Sequence, residues 1–132
     1  MSEENVEAVY SLADAFNRRD EQAFLDLCDP NAELLDQLSL NPNVYRGRDE
    51  IASWFRAWDK VWDDISGSIV KVVHQSGEVV LWRSTARARG HGSGVEVSQD
   101  FWHFGKFKAG KLIRIEHHRS EAEALEAAGL SE

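Results

Sequence analysis

The sequence is short of cysteine, proline and basic residues, and each shortage removes a class of explanation. One cysteine, Cys28, leaves no partner for an internal disulfide, so the fold must rest on its own core. Two prolines, Pro30 and Pro42, are too few for a Pro-rich linker. Lys and Arg number 15 against 23 Asp and Glu, a formal net charge of −8. No stretch gathers enough basic side chains to reverse that sign locally, so nucleic acid and anionic membrane surfaces are not expected partners. No apolar run approaches the roughly 18 residues that a spanning helix needs. The opening Met1-Ser2-Glu3-Glu4 is acidic where a secretory signal would be basic and then apolar. A reducing cytoplasm is the expected location.

What is present describes one small globule. The 132 residues are 42% apolar and carry five Trp, two Tyr and six Phe, which suits a single domain, 1–132, that buries a substantial core. Val6, Val9, Tyr10, Ala13 and Phe16 recur at helical spacing behind Ser2-Glu3-Glu4 and predict a first helix. Asp20 can cap a second, short helix through Ala23, Phe24, Leu27 and Cys28, with Asp29-Pro30-Asn31 as the turn after it. Ala32 to Leu38 alternates as a strand with Leu34, Asp36 and Leu38 on one face. After Tyr45-Arg46-Gly47 a third helix presents Ile51, Trp54, Phe55, Trp58, Val61 and Trp62 as an apolar stripe.

From Gly67 onward the period changes from 3.6 to 2. Strands are predicted over Ser68 to Gln75, Val79 to Arg89, Val95 to Phe107 and Leu112 to His118, separated by Ser76-Gly77, the run Gly90 to Gly94, and Ala109-Gly110. A helix from about Ser120 to Ala128, stopped by Gly129, closes the pattern. The class is α+β: a curved antiparallel sheet wrapped around three N-terminal helices, with a short C-terminal helix and a pocket at the open end.

The order of elements, Tyr45-Arg46-Gly47 before helix three, Phe107-Lys108-Ala109-Gly110-Lys111-Leu112 before the last strand, and the tail Glu123 to Leu130 together resemble the SnoaL-like branch of the nuclear-transport-factor-like superfamily. Ketosteroid isomerase and limonene epoxide hydrolase are relatives in that superfamily. The resemblance implies a cone-shaped fold, homodimers through the exposed sheet face, and functions that range from isomerases, cyclases and hydrolases to non-catalytic binders. Fold alone therefore constrains function weakly.

By that resemblance Asp36 falls on the position of the ketosteroid isomerase base. The helix-one Tyr of that family is Leu12 here, and Tyr10 lies about 200° around the helix from it. The acidic oxyanion donor is replaced by His103. On its strand His103 shares a face with Val95, Val97, Gln99 and Phe101, opposite Glu96, Ser98, Asp100 and Trp102.

The strand register decides what meets His103. A three-residue hairpin at Lys108-Ala109-Gly110 would set it opposite Ile115 and bring Ile113, Ile115 and His117 to the pocket face. A two-residue turn would pair it with Glu116 and send Trp102 inward.

The candidate catalytic pair is thus Asp36 as base and His103 as proton donor, with Gln99, His117, Trp54, Trp58, Trp82, Phe101 and Ile115 as ligand-binding wall. No metal and no cofactor is called for. The partner expected is a small apolar or mixed-polarity molecule. The competing reading makes Asp36 a backbone ligand and His103 a satisfied core histidine. Trp82 and Ser84 are read as facing inward, with Arg83 and Arg87 outward. Were the arginines inward, an epoxide-hydrolase-like set with Asp36 would follow instead.

Overall fold

A computed structural model describes residues 2–36 and 43–129. Helix α1 (Ser2–Asn17) and the short α2 (Glu21–Asp26) precede strands β1 (Cys28–Asp36) and β2 (Asn43–Arg46). Helix α3 (Gly47–Val61) follows, and then β3 (Ser66–Ser76), β4 (Val79–Arg89), β5 (Glu96–Lys108), β6 (Lys111–His118) and α4 (Glu121–Ala127). The six strands form one curved, unclosed sheet in the order β2-β1-β6-β5-β4-β3. Every ladder is antiparallel except β1 with β6, because α3 and the four strands β2 to β5 lie between those two and return the chain in the same direction.

The core sits between the concave face and helices α1 to α3. Val9 and Leu12 of α1, Phe24 of α2, Ile51, Trp54 and Phe55 of α3 pack against Leu34, Trp82, Phe107 and Leu112 of the sheet. A smaller cluster on the outer face holds α4, with Ala124 against Leu81 and Phe104. Asp20 caps α2 by accepting from the Ala23 N–H, and Ser120 caps α4 by accepting from that of Glu123.

Some local expectations are corrected. Asp29-Pro30-Asn31 is part of β1, not a turn, and Cys28 opens that strand instead of closing α2. The proline fits because the β1·β6 register shifts between Cys28 and Glu33, where a missing N–H breaks no regular ladder bond. Tyr10 is 51% exposed, since α1 turns Val9 and Leu12 to the core. Val61 is likewise 56% exposed, at the end of α3. The expected strand residues Gln37 and Leu38 lie outside the described residues. Among those described, no helix is long and apolar enough to cross a membrane.

The hairpin between β5 and β6 is a two-residue turn, Lys108 opposite Lys111, with Ala109 and Gly110 both at positive φ (52° and 75°). It does not send Trp102 inward, because the register shifts again between Lys106 and Phe107. Lys106 pairs with Arg114 while Phe107 pairs with Leu112, so Ile113 is the extra residue. Two offsets of one residue restore the parity, and His103 lies opposite His117 instead of either expected partner.

Gly105 continues the face of His103, and the space for it is already taken. A Cβ there would lie 2.8 Å from the Trp82 ring and 2.9 Å from that of Phe107. Gly105→Ala is expected to cost about 1–3 kcal/mol by overpacking, read as a lower urea midpoint with unchanged slope. An unchanged midpoint would mean that the Trp82 ring is free to move aside.

Candidate functional site

The concave face and the helices enclose a cavity of about 300 Å³. Its wall includes His103, His117, Gln99, Trp54, Trp58, Trp82, Phe101 and Ile115, together with Ser84, Phe16, Phe24 and Trp62. Among the described residues no Asp, Glu, Lys or Arg lines it. Arg83 is turned to the outer face, where it bonds Asp100 at 2.5 Å and Thr85 donates to the same carboxylate at 2.7 Å. Arg87 is exposed.

Asp36 is buried, 8% exposed, but is not part of the cavity wall. It follows Ala32 and Leu34 on the buried face of β1 and lies beside His117 in the β1·β6 ladder. The carboxylate pulls the His117 pKa upward, so the two are electrostatically linked across the strand pair. Val95, expected on the pocket face, is 60% exposed beyond the rim, and Ile113, at the bulge, does not reach the wall.

Neighbouring residues across a ladder point to the same face. Four adjacent strands therefore carry a polar row on an otherwise apolar surface: Asp36 on β1, His117 on β6, His103 on β5 and Ser84 on β4. Trp54 of α3 stacks on His117 with centroids 5.6 Å apart and planes at 26°. The His117 and His103 rings are perpendicular at 4.9 Å. Trp82, directly opposite His103 in the β4·β5 ladder, stacks on it at 5.0 Å and 19°. Ser84 Oγ and His103 Nε2 are hydrogen-bonded at 2.6 Å. His103 Nδ1 and Trp54 Nε1 are buried without a hydrogen-bond partner.

Burial sets the electrostatics. It holds the His103 pKa well below the usual imidazole range, and the nearby His117 and His118 push the same way. His117 is lowered to about 4, mainly by burial, against the upward pull of Asp36 and with His118 adding to the fall. Both imidazoles are neutral at pH 7. Cys28 is inert by the same logic, its thiol pushed up to about 12 by burial. Among the described residues no group of three or more His, Cys, Asp or Glu is placed to hold a metal ion.

Sequence reading brought Ser84 inward but assigned it no role. The only signal available was its parity with Trp82 on a face of small and apolar residues, which identifies a wall but not a hydrogen bond to a residue two positions along the next strand.

A family model described as the SnoaL-like domain matches residues 6–115. The chain belongs to the SnoaL-like family. No curated protein matches the sequence. Among solved structures, this SnoaL-like chain is similar to an NTF2-like protein of unknown function from Burkholderia pseudomallei, at 21% identity over 93% of this chain and 95% of that one, with a TM-score of 0.80. It is also similar to a protein with a ketosteroid isomerase-like fold from Catenulispora acidiphila, in complex with trimethylamine, at 17% identity, 95% and 94% coverage and a TM-score of 0.78. TerC co-crystallised with polyporic acid matches at 20% identity, 93% and 96% coverage and a TM-score of 0.77. At these identities the likeness shows the fold.

Proposed function

We propose that the cavity takes a small, uncharged, largely apolar molecule carrying a polar oxygen, and that the polar row moves a proton on it. The observation that carries this reading is an aromatic cavity with no charged side chain among the described residues of its wall and two neutral imidazoles side by side in it. A charged ligand would lose its hydration without gaining a counter-charge.

A neutral imidazole can accept a proton. His117 is the better base of the two, because Asp36 stabilises the imidazolium that forms. In this reading Asp36 acts through His117, a revision of its expected role as the base in direct contact. His103 acts on the ligand oxygen on which charge develops through Ser84, whose hydroxyl is hydrogen-bonded to its Nε2 and lines the cavity. The reaction class is abstraction of an acidic C–H proton with its return elsewhere, as in a cofactor-free isomerisation or cyclisation. Polyporic acid in TerC and trimethylamine in the Catenulispora protein show that relatives of this fold accept small molecules.

The test is proton exchange on a generic neutral ketone. With 2-tetralone in D₂O at pH 7, the wild-type protein is expected to speed loss of the α-proton NMR signal by at least about a hundredfold over buffer. Binding without acceleration would favour the second reading, a non-catalytic binder. That reading draws support from Asp36 standing off the wall.

We further propose a homodimer through the outer face of β3 to β5, and a cytoplasmic setting that suits a free, buried Cys28. A sedimentation mass of one chain would remove the dimer.

A further inference from the structure

The cavity changes character along its length, and the change runs across three strands. At the inner end His103 of β5 is level with Trp82 of β4. One step outward Phe101 is level with Ser84, and Ser84 with Ile69 of β3. At the next step Gln99 is level with Ala86, and Ala86 with Gly67. All of these residues line the cavity. At this outer level β4 and β3 therefore contribute a methyl group and a hydrogen, where the inner end has an indole and an imidazole.

Neither conformation nor packing requires glycine at position 67. Its φ is not positive, unlike that of Gly47 or Gly110, so other residues fit the same backbone. A Cβ there would meet nothing within 4 Å, not even the Asn17 side chain that grips the residue. Asn17 Nδ2 donates to Gly67 O and the Gly67 N–H donates to Asn17 Oδ1, both at 2.7 Å. That clamp ties the start of β3 to α1, so the wall does not fold inward to fill the space. Glycine weakens a strand relative to a β-branched residue. A weakening residue that neither backbone nor neighbours demand marks room kept for a ligand.

The same level carries an open amide. Gln99 is exposed there, and among the described residues its side chain has no hydrogen-bond partner. From His103 to Gln99 is four residues of strand, about 13 Å.

We propose that Gly67 and Ala86 keep open an outer compartment of the cavity, and that Gln99 reads a hydrogen-bonding group placed in it. The three are specificity-determining residues for an elongated neutral ligand with a polar group at each end. A compact ligand uses the inner end alone. This deepens the proposed pocket function and rests on it for the ligand, but the open compartment stands on the protein alone.

The protein alone is tested by Gly67→Val, which adds a β-branched side chain to a strand in open space. Its urea midpoint should equal or exceed that of wild type, in contrast to Gly105→Ala. A lower midpoint would show the space to be filled and would overturn the compartment. For the ligand, 4-vinylphenol, 4-hydroxystilbene and 4,4′-dihydroxystilbene are titrated at pH 7 against the tryptophan fluorescence of the wall. Wild type should bind all three, the dihydroxystilbene about fivefold more tightly than the monohydroxystilbene, the worth of one ordinary hydrogen bond. Gln99→Leu should remove that preference, and a wild type that lacks it overturns the role of Gln99. Gly67→Val and Ala86→Leu should each weaken both stilbenes by at least about tenfold and leave 4-vinylphenol unaffected. Stilbenes and vinylphenol weakened alike, or stilbenes not weakened, overturn the compartment. Binding of none of the three by wild type overturns the pocket reading and the ligand assignment with it, and the urea result is independent of both.

Discussion

His117→Gln is expected to slow α-proton exchange on bound 2-tetralone by about a hundredfold, the ordinary worth of a positioned general base. Affinity should change little, because the amide keeps polar contact in the wall while losing the basic nitrogen. Asp36→Asn should give a smaller loss, about tenfold, for a carboxylate that acts through the ring beside it. The ordering matters more than the sizes. If Asp36→Asn abolishes exchange while His117→Gln leaves it intact, the carboxylate itself reaches the substrate and the wall must open toward β1. If neither variant alters exchange, the polar row is structural.

A second large effect is expected from acid. The unfolded chain takes up a proton at His117 near its ordinary pKa of 6.5, whereas the folded protein refuses it until about 4. The folded pKa is depressed, so below 6.5 the unfolded state binds the extra proton and stability falls as pH is lowered. The loss runs from about pH 6.5 to about pH 4 and then levels for this group. The fall from 6.5 to about 4 corresponds to a loss on the order of 3 kcal/mol. His103 is shifted in the same direction and adds to it. Urea unfolding at pH 7 and at pH 4.5 measures the effect. In His117→Gln the difference between the two should shrink clearly, and an equal difference in wild type and variant would show that other groups drive acid unfolding.

Much of this arrangement was legible in the residues, and the parts that were not share a cause. Alternation on β4 and β5 sorts wall from exterior directly: Trp82, Ser84, Phe101 and His103 line the cavity, while Arg83 and Asp100 meet outside it. The partner of His103 was not legible. Ala109-Gly110 announces a turn, but the extra residue at Ile113 has no signature of its own, since a β-branched residue fits a regular strand equally well. The turn and the bulge each shift the pairing, and only together do they set His103 against His117.

Asp36 shows a different limit. Its face was readable from Ala32 and Leu34, yet facing the core is not the same as reaching a cavity. The β1·β6 ladder puts His117 at its side, and it is that ring, under Trp54, that stands in the wall. Which of two buried neighbours touches the void depends on packing between strands far apart in sequence, which spacing along one strand does not encode. Asp29-Pro30-Asn31 failed for a third reason. Its turn chemistry is real, but a register shift in β1 absorbs a proline without ending the strand.

The most direct measurement is an NMR titration of the five histidines in wild type and in Asp36→Asn. His103 and His117 should stay neutral through pH 6, with His117 titrating near pH 4 in wild type and lower still once the carboxylate is removed. A His117 that titrates near 6.5, or one indifferent to Asp36→Asn, would contradict the coupled, desolvated row on which the proposed chemistry stands.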